Sequence, residues 1–68
     1  MGKLYEACRQ ITDEISRAGL DKYRTRGLFA LETGFLITLV SENDPDDPEK
    51  IAKLRDAARK ILGMELSI

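Results

Sequence analysis

The chain has 68 residues, with 11 basic against 12 acidic side chains and a formal charge of −1. That length holds one small domain over residues 1–68, and the near-neutral balance argues against a fold built mainly to grip phosphates. A composition 43% hydrophobic and 34% charged excludes disorder, and the lack of histidine beside a single cysteine, Cys8, excludes an intrachain disulfide and the usual zinc sites.

Lys3 to Ala18 is predicted as an amphipathic helix. Its apolar positions Leu4, Cys8, Ile11, Ile15 and Ala18 fall at steps of four, three, four and three, while Glu6, Arg9, Asp13, Glu14 and Arg17 lie largely off that stripe. Gly19 then supplies a left-handed stop, with Leu20 folding back in a Schellman-type turn. Cys8 sits on the apolar stripe, so it reads as a buried and inert thiol rather than a reactive one.

Lys22, Tyr23, Arg24 and Arg26 form the densest basic cluster. Alternate cations leading into a strand, with an aromatic between them, suit phosphate contact and base stacking. The plainer account is a solvated strand start whose charges protect an exposed edge.

The middle of the chain has two readings. A helix over Leu28 to Val40 puts Glu32 in its apolar face, points Ile37 the wrong way, and places Thr33-Gly34 and three β-branched residues in its interior. A hairpin within residues 24–41 removes these conflicts, with Glu32-Thr33-Gly34 as a three-residue loop and glycine at the left-handed bulge position. Leu31, Phe29, Phe35, Ile37 and Leu39 then share the face that receives the helices. Leu28, Ala30, Leu36 and Val40 share the other, with Arg26 and Thr38. A second face this apolar, on a two-stranded hairpin with open edges, calls for a cover, and a second copy of the chain supplies one.

The acidic run Glu42, Asp44, Asp46, Asp47, Glu49 fails the calcium-loop pattern. Pro45 and Pro48 interrupt it, and neither the sixth-position glycine nor the twelfth-position glutamate is present. It reads instead as a helix-start loop, with an aspartate cap before Pro48 and Glu49 in the first turn. Ile51, Leu54, Ala58 and Ile61 follow at helical spacing, widened by Ala57 and Leu62. Glu49–Lys53 and Asp56–Lys60 are acid-before-base pairs, and Gly63 ends the helix. The tail from Met64 to Ile68 alternates apolar and polar residues, a pattern that fits packing or strand pairing equally.

The expected fold is therefore α+β: helix, strand, strand, helix, with two amphipathic helices packed on a β-hairpin. The alternative is an all-α three-helix bundle. The five glycines form no phosphate loop, and the carboxylates lie on solvent faces and in one loop, so no catalytic residue, metal or cofactor is expected. The longest apolar run, Phe35 to Val40 with Thr38 inside it, falls far short of the ~20 residues of a membrane span. No signal-peptide-like run follows Met1. The expectation is a cytoplasmic protein with no membrane role and no small-molecule substrate. In function it is a non-enzymatic protein-interaction or regulatory adaptor, homodimeric through Leu28, Ala30, Leu36 and Val40. The alternative from another class is a small nucleic-acid-binding regulator that uses Lys22, Tyr23, Arg24 and Arg26.

Overall fold

A computed structural model describes residues 2–68. The first helix, α1, spans Lys3–Arg17 and buries Leu4, Cys8, Ile11 and Ile15 of the stripe that the spacing predicts, joined by Ala7, while Ala18 is exposed at the C-cap. Its stop is the expected Schellman turn. Gly19 is left-handed at φ 69°, Leu20 N–H donates to the Ile15 carbonyl (3.1 Å), and Gly19 N–H donates to that of Ser16 (3.2 Å). Its start is unusual. Gly2 has no side chain with which to cap, and the free N–H of Leu4 is taken instead by Asp46 Oδ1 at 3.1 Å, from a loop 42 residues away. The orphan donors at a helix start must find a partner, and here the tertiary fold provides one.

The second element corrects the sequence reading. Residues Lys22–Thr33 form a helix, α2, and among the described residues there is no strand and no hairpin. The protein is all-α. Asp21 caps α2, its carboxylate accepting from Arg24 N–H at 2.9 Å, so Lys22, Tyr23, Arg24 and Arg26 open a helix rather than a strand. Gly34 is left-handed, as the hairpin required, but at φ 81° it is the C-cap, and its N–H donates to the Ala30 carbonyl at 2.8 Å. Most conflicts that disfavour a helix assume one running on to Val40. Ending it at Thr33 makes Thr33-Gly34 the stop and leaves Ile37, Thr38 and Val40 beyond it, in a short 3₁₀ turn (Ile37–Leu39) and the residue after, while Glu32 stays helical and pairs with Lys60. Thr33 helps close the end: its hydroxyl donates to the Phe29 carbonyl (2.7 Å) and accepts from Phe35 N–H (3.4 Å).

The third helix, α3, spans Pro48–Ala57, with Asp47 as its cap and Pro48 at the first position, as the loop sequence indicates. It continues as one π-helical turn, Ala58–Leu62, and stops at left-handed Gly63. The wider turn places Ala57 and Ala58 side by side in the core, with Ile61 and Leu62 both partly packed behind them. Lys60 pairs with Glu32 of α2 at 3.2 Å rather than with the expected Asp56. The tail packs instead of pairing with a strand: Leu66 is buried and Met64 and Ile68 are partly so. The Gln10 amide holds it on α1 through two bonds, donating to the Ser67 carbonyl (3.1 Å) and accepting from its N–H (2.8 Å).

The core joins α1, Leu54, Ala57 and Ala58 of the last helix, Ile37 and Leu66 to a single fully buried apolar side chain of α2, Phe29. Replacing that ring by a methyl group, Phe29→Ala, is expected to cost about 3–5 kcal/mol, measured by urea unfolding. At ~0.05–0.15 kcal/mol per residue a domain of this length holds about 3–10 kcal/mol in all, so the loss is expected to be a large share of its stability. Asp46→Ala, which leaves the Leu4 N–H without its acceptor, is expected to lower stability by about 0.5–2 kcal/mol, and Asp46→Asn by much less. An unchanged unfolding midpoint in Asp46→Ala would remove this cap from the account.

Candidate functional site

The large apolar side chains that remain exposed among the described residues all lie between Leu20 and Leu39. The reason is local to α2. Its buried positions, Thr25, Phe29 and Thr33, are one row at four-residue spacing, and this narrow stripe leaves most of the circumference outside the core. Helical geometry puts Tyr23, Gly27 and Leu31 on the opposite side as a second row at the same spacing. Tyr23 is 87% exposed and Leu31 85%. Leu28, 43% exposed, widens this row and borders a shallow depression lined by Leu20, Arg24, Thr25 and Ile61. Beyond the helix, Leu36 is 49% and Leu39 74% exposed.

Gly27, at the middle of that outer row, has no evident purpose within its own chain. The four other glycines have positive φ, whereas Gly27 does not. A Cβ built on it meets nothing within 4 Å. Glycine inside an exposed helix is roughly 1 kcal/mol less favourable than alanine, so neither backbone conformation nor internal space accounts for this one.

The expected interface residues are separated by the helical fold. Leu28 and Leu36 are exposed, but Ala30 is half-buried on α2 and Val40 packs partly against the core. The face expected to receive helices is divided too: Phe29 and Ile37 are buried and Phe35 partly so, whereas Leu31 and Leu39 face solvent. Alternation by two, which would align each set on a strand, scatters it on a helix turning 3.6 residues at a time.

The same geometry spreads the basic cluster. On a strand Lys22, Arg24 and Arg26 would share one face. On α2, Lys22 and Arg26 lie in one row and Arg24 almost opposite. Lys22, Tyr23 and Arg24 are exposed, but Arg26 is partly buried and its Nε has no hydrogen-bond partner. Three cations at the start of a helix also meet the positive end of its dipole, an arrangement unfavourable on its own.

The acidic loop spends its oxygens on backbone. Asp44 Oδ2 accepts from Ser41 N–H (3.0 Å), Asp46 Oδ1 from Leu4 N–H (3.1 Å) and Asp47 Oδ1 from Glu49 N–H (2.9 Å). Among the described residues no three acidic or cysteine side chains are grouped to hold a metal ion. No helix of the described residues is long and apolar enough to cross a membrane. Cys8 is 4% exposed, and burial, with a smaller contribution from the nearby Asp44 charge, pushes its thiol from 9.0 up to about 11.

The outer row of α2 is hidden in the sequence because alternation places Leu31 on a covered strand face and Tyr23 lies within a charge cluster. The signal that finds it is the Asp21 cap thirteen residues before the Gly34 stop, which brackets a helix with apolar residues all round it. Such a helix is ordinarily covered on more than one side. No protein-family model, curated protein or solved structure matches the chain.

Burial of Cys8 has a chemical consequence. The folded protein is expected to resist alkylation by iodoacetamide at pH 8, where a thiol with a pKa near 11 is ~0.1% ionised, and to react fully once unfolded in urea. The folded-state value lies above the unfolded one, so the stability linked to this group is complete below pH 9 and declines as the pH rises from 9 toward 11. Rapid alkylation under native conditions would contradict its placement in the core.

Proposed function

We propose that this protein is a non-enzymatic protein-interaction module that docks through the outer face of α2. The observation that carries the reading is the concentration of exposed apolar side chains on that one element and its flanks, with Tyr23 and Leu31 in a single row. Burying a side chain of this size is worth about 1.5–3 kcal/mol, so leaving several in water forgoes much of what a small domain can gain by folding. Contiguous apolar surface rimmed by charge is typical of a docking site. An amphipathic helix set in a partner's groove, with anchors one turn apart, is a recurrent form of peptide and protein recognition.

The non-enzymatic part of the reading draws on the chemistry of the remaining groups. The loop aspartates are engaged in capping, the one thiol is buried and protonated, and no imidazole exists in the chain. Dispersal of Lys22, Arg24 and Arg26 around α2 weighs against the nucleic-acid alternative, because a phosphate track needs its cations on one face. Arg24 instead borders the apolar row, where charge serves orientation and partner choice more than affinity.

The immobilised chain, challenged with extract from its parent cells, is expected to retain a partner that Tyr23→Ser/Leu31→Glu loses. Both positions are on the surface, so the double variant is expected to keep its unfolding midpoint to within about 0.5 kcal/mol in stability. A control change at an exposed position of α3, Lys53→Ser, is expected to retain the partner. Retention unaffected by the double substitution would rule out this face.

A further inference from the structure

We infer that the occupant of the outer face of α2 is the same face of a second copy, the two helices crossing antiparallel at Gly27. This inference rests on the reading of that face as a docking surface and adds what covers it. Three observations lead to it. Gly27 is helical and makes no demand within its own chain, but a missing side chain on an exposed helix face lets another backbone come close. Two such positions meeting at a crossing point give the closest approach.

Residues around Gly27 are also arranged symmetrically. Tyr23 and Leu31 lie four residues, ~6 Å, to either side of it on the same row, and both are almost fully exposed. A two-fold axis through Gly27 puts Tyr23 of each copy over Leu31 of the other. An isologous interface needs a patch that is complementary to itself, and this row meets that condition.

Charge sets the direction. The start of α2 carries Lys22, Arg24 and Arg26 against one acid, Asp21, and its last turn carries Glu32. Parallel pairing would set cations on cations at the positive ends of two helix dipoles. Antiparallel pairing sets Arg24, the cation that borders each outer row, toward the other copy's negative helix end, which relieves its unfavourable placement at a helix start.

Sedimentation equilibrium over a range of concentration and salt is expected to show a dimer. Gly27→Ala is expected to weaken it about tenfold and Gly27→Gln at least a hundredfold, while the dilute single chains stay at least as resistant to urea as the parent. That opposition between association and stability is what a merely structural glycine would not produce. For direction, a chain carrying Tyr23→Cys is mixed with one carrying Leu31→Cys and treated with a short bismaleimide; buried Cys8 does not compete. The expected product joins the two different chains, and Tyr23→Cys alone gives little, because antiparallel pairing holds those positions ~12 Å apart along the axis. A dimer indifferent to Gly27, or one linked readily through two Tyr23→Cys positions, overturns the inference. A monomer at every concentration also overturns it, and the extract experiment then separates the cases. If Tyr23→Ser/Leu31→Glu still loses a captured partner, the face docks a different protein; if it does not, the docking surface falls as well.

Discussion

Burial of the Phe29 ring is the contact on which the arrangement of this protein turns. Helix α1 commits five side chains to the core, whereas α2 commits one fully buried apolar group, with Thr25 and Thr33 a turn to either side. A single aromatic ring can dock a helix because it removes a large apolar area from water and meets closely packed neighbours around its whole edge. Anchoring by so narrow a stripe has a consequence for function. The remaining circumference of α2 is free of the core, and the residues on it are not those of a solvated helix. Tyr23, Leu28 and Leu31 stand where charged or small polar residues would be ordinary. The same feature therefore fixes the helix in place and exposes its binding face.

The loop between the 3₁₀ turn and α3 performs a different service. Its aspartates hold the ends of two helices, Asp47 its own and Asp46 that of α1, across a long stretch of chain. Satisfying an orphan N–H from a distant segment couples helix start to tertiary packing, so α1 is fully capped only when α3 is in place. The Gln10–Ser67 pair does the same for the tail, joining it to α1 through a side-chain amide that imitates a neighbouring strand. A 68-residue chain without disulfides has few other means of tying distant segments together. Carboxylates used in this way belong to the architecture, which is why the functional reading moves to the apolar surface.

How far the sequence could be read depended on whether the deciding signals were local. Helix α1 and helix α3 were legible almost to the residue, since apolar spacing, an aspartate before proline and a glycine stop each act within a turn or two. The middle was not. Gly34 has positive φ in either reading, as a hairpin bulge or as a helix stop, so the strongest local signal did not discriminate. The β-branched residues after it argued for strands only on the assumption that they belonged to the same element as Leu28. The Asp21 cap pointed to a helix starting earlier and ending sooner, but it was adjacent to a basic alternation that resembles a strand.

The two outer helices and their stops, the burial of Cys8, the loop character of the acidic run and the excess of apolar residues in the middle of the chain are therefore written in local sequence. Those properties follow from periodicity, capping and composition, which neighbouring residues carry among themselves. Packing between distant segments settled which of the middle residues are covered. Phe29 and Ile37 reach a common core when the chain turns at Gly34, and that choice leaves Leu31, Leu36 and Leu39 in solvent. It also decided which oxygen caps α1 and how the tail packs. These outcomes depend on contacts between segments far apart in the chain, and no window of neighbouring residues contains them.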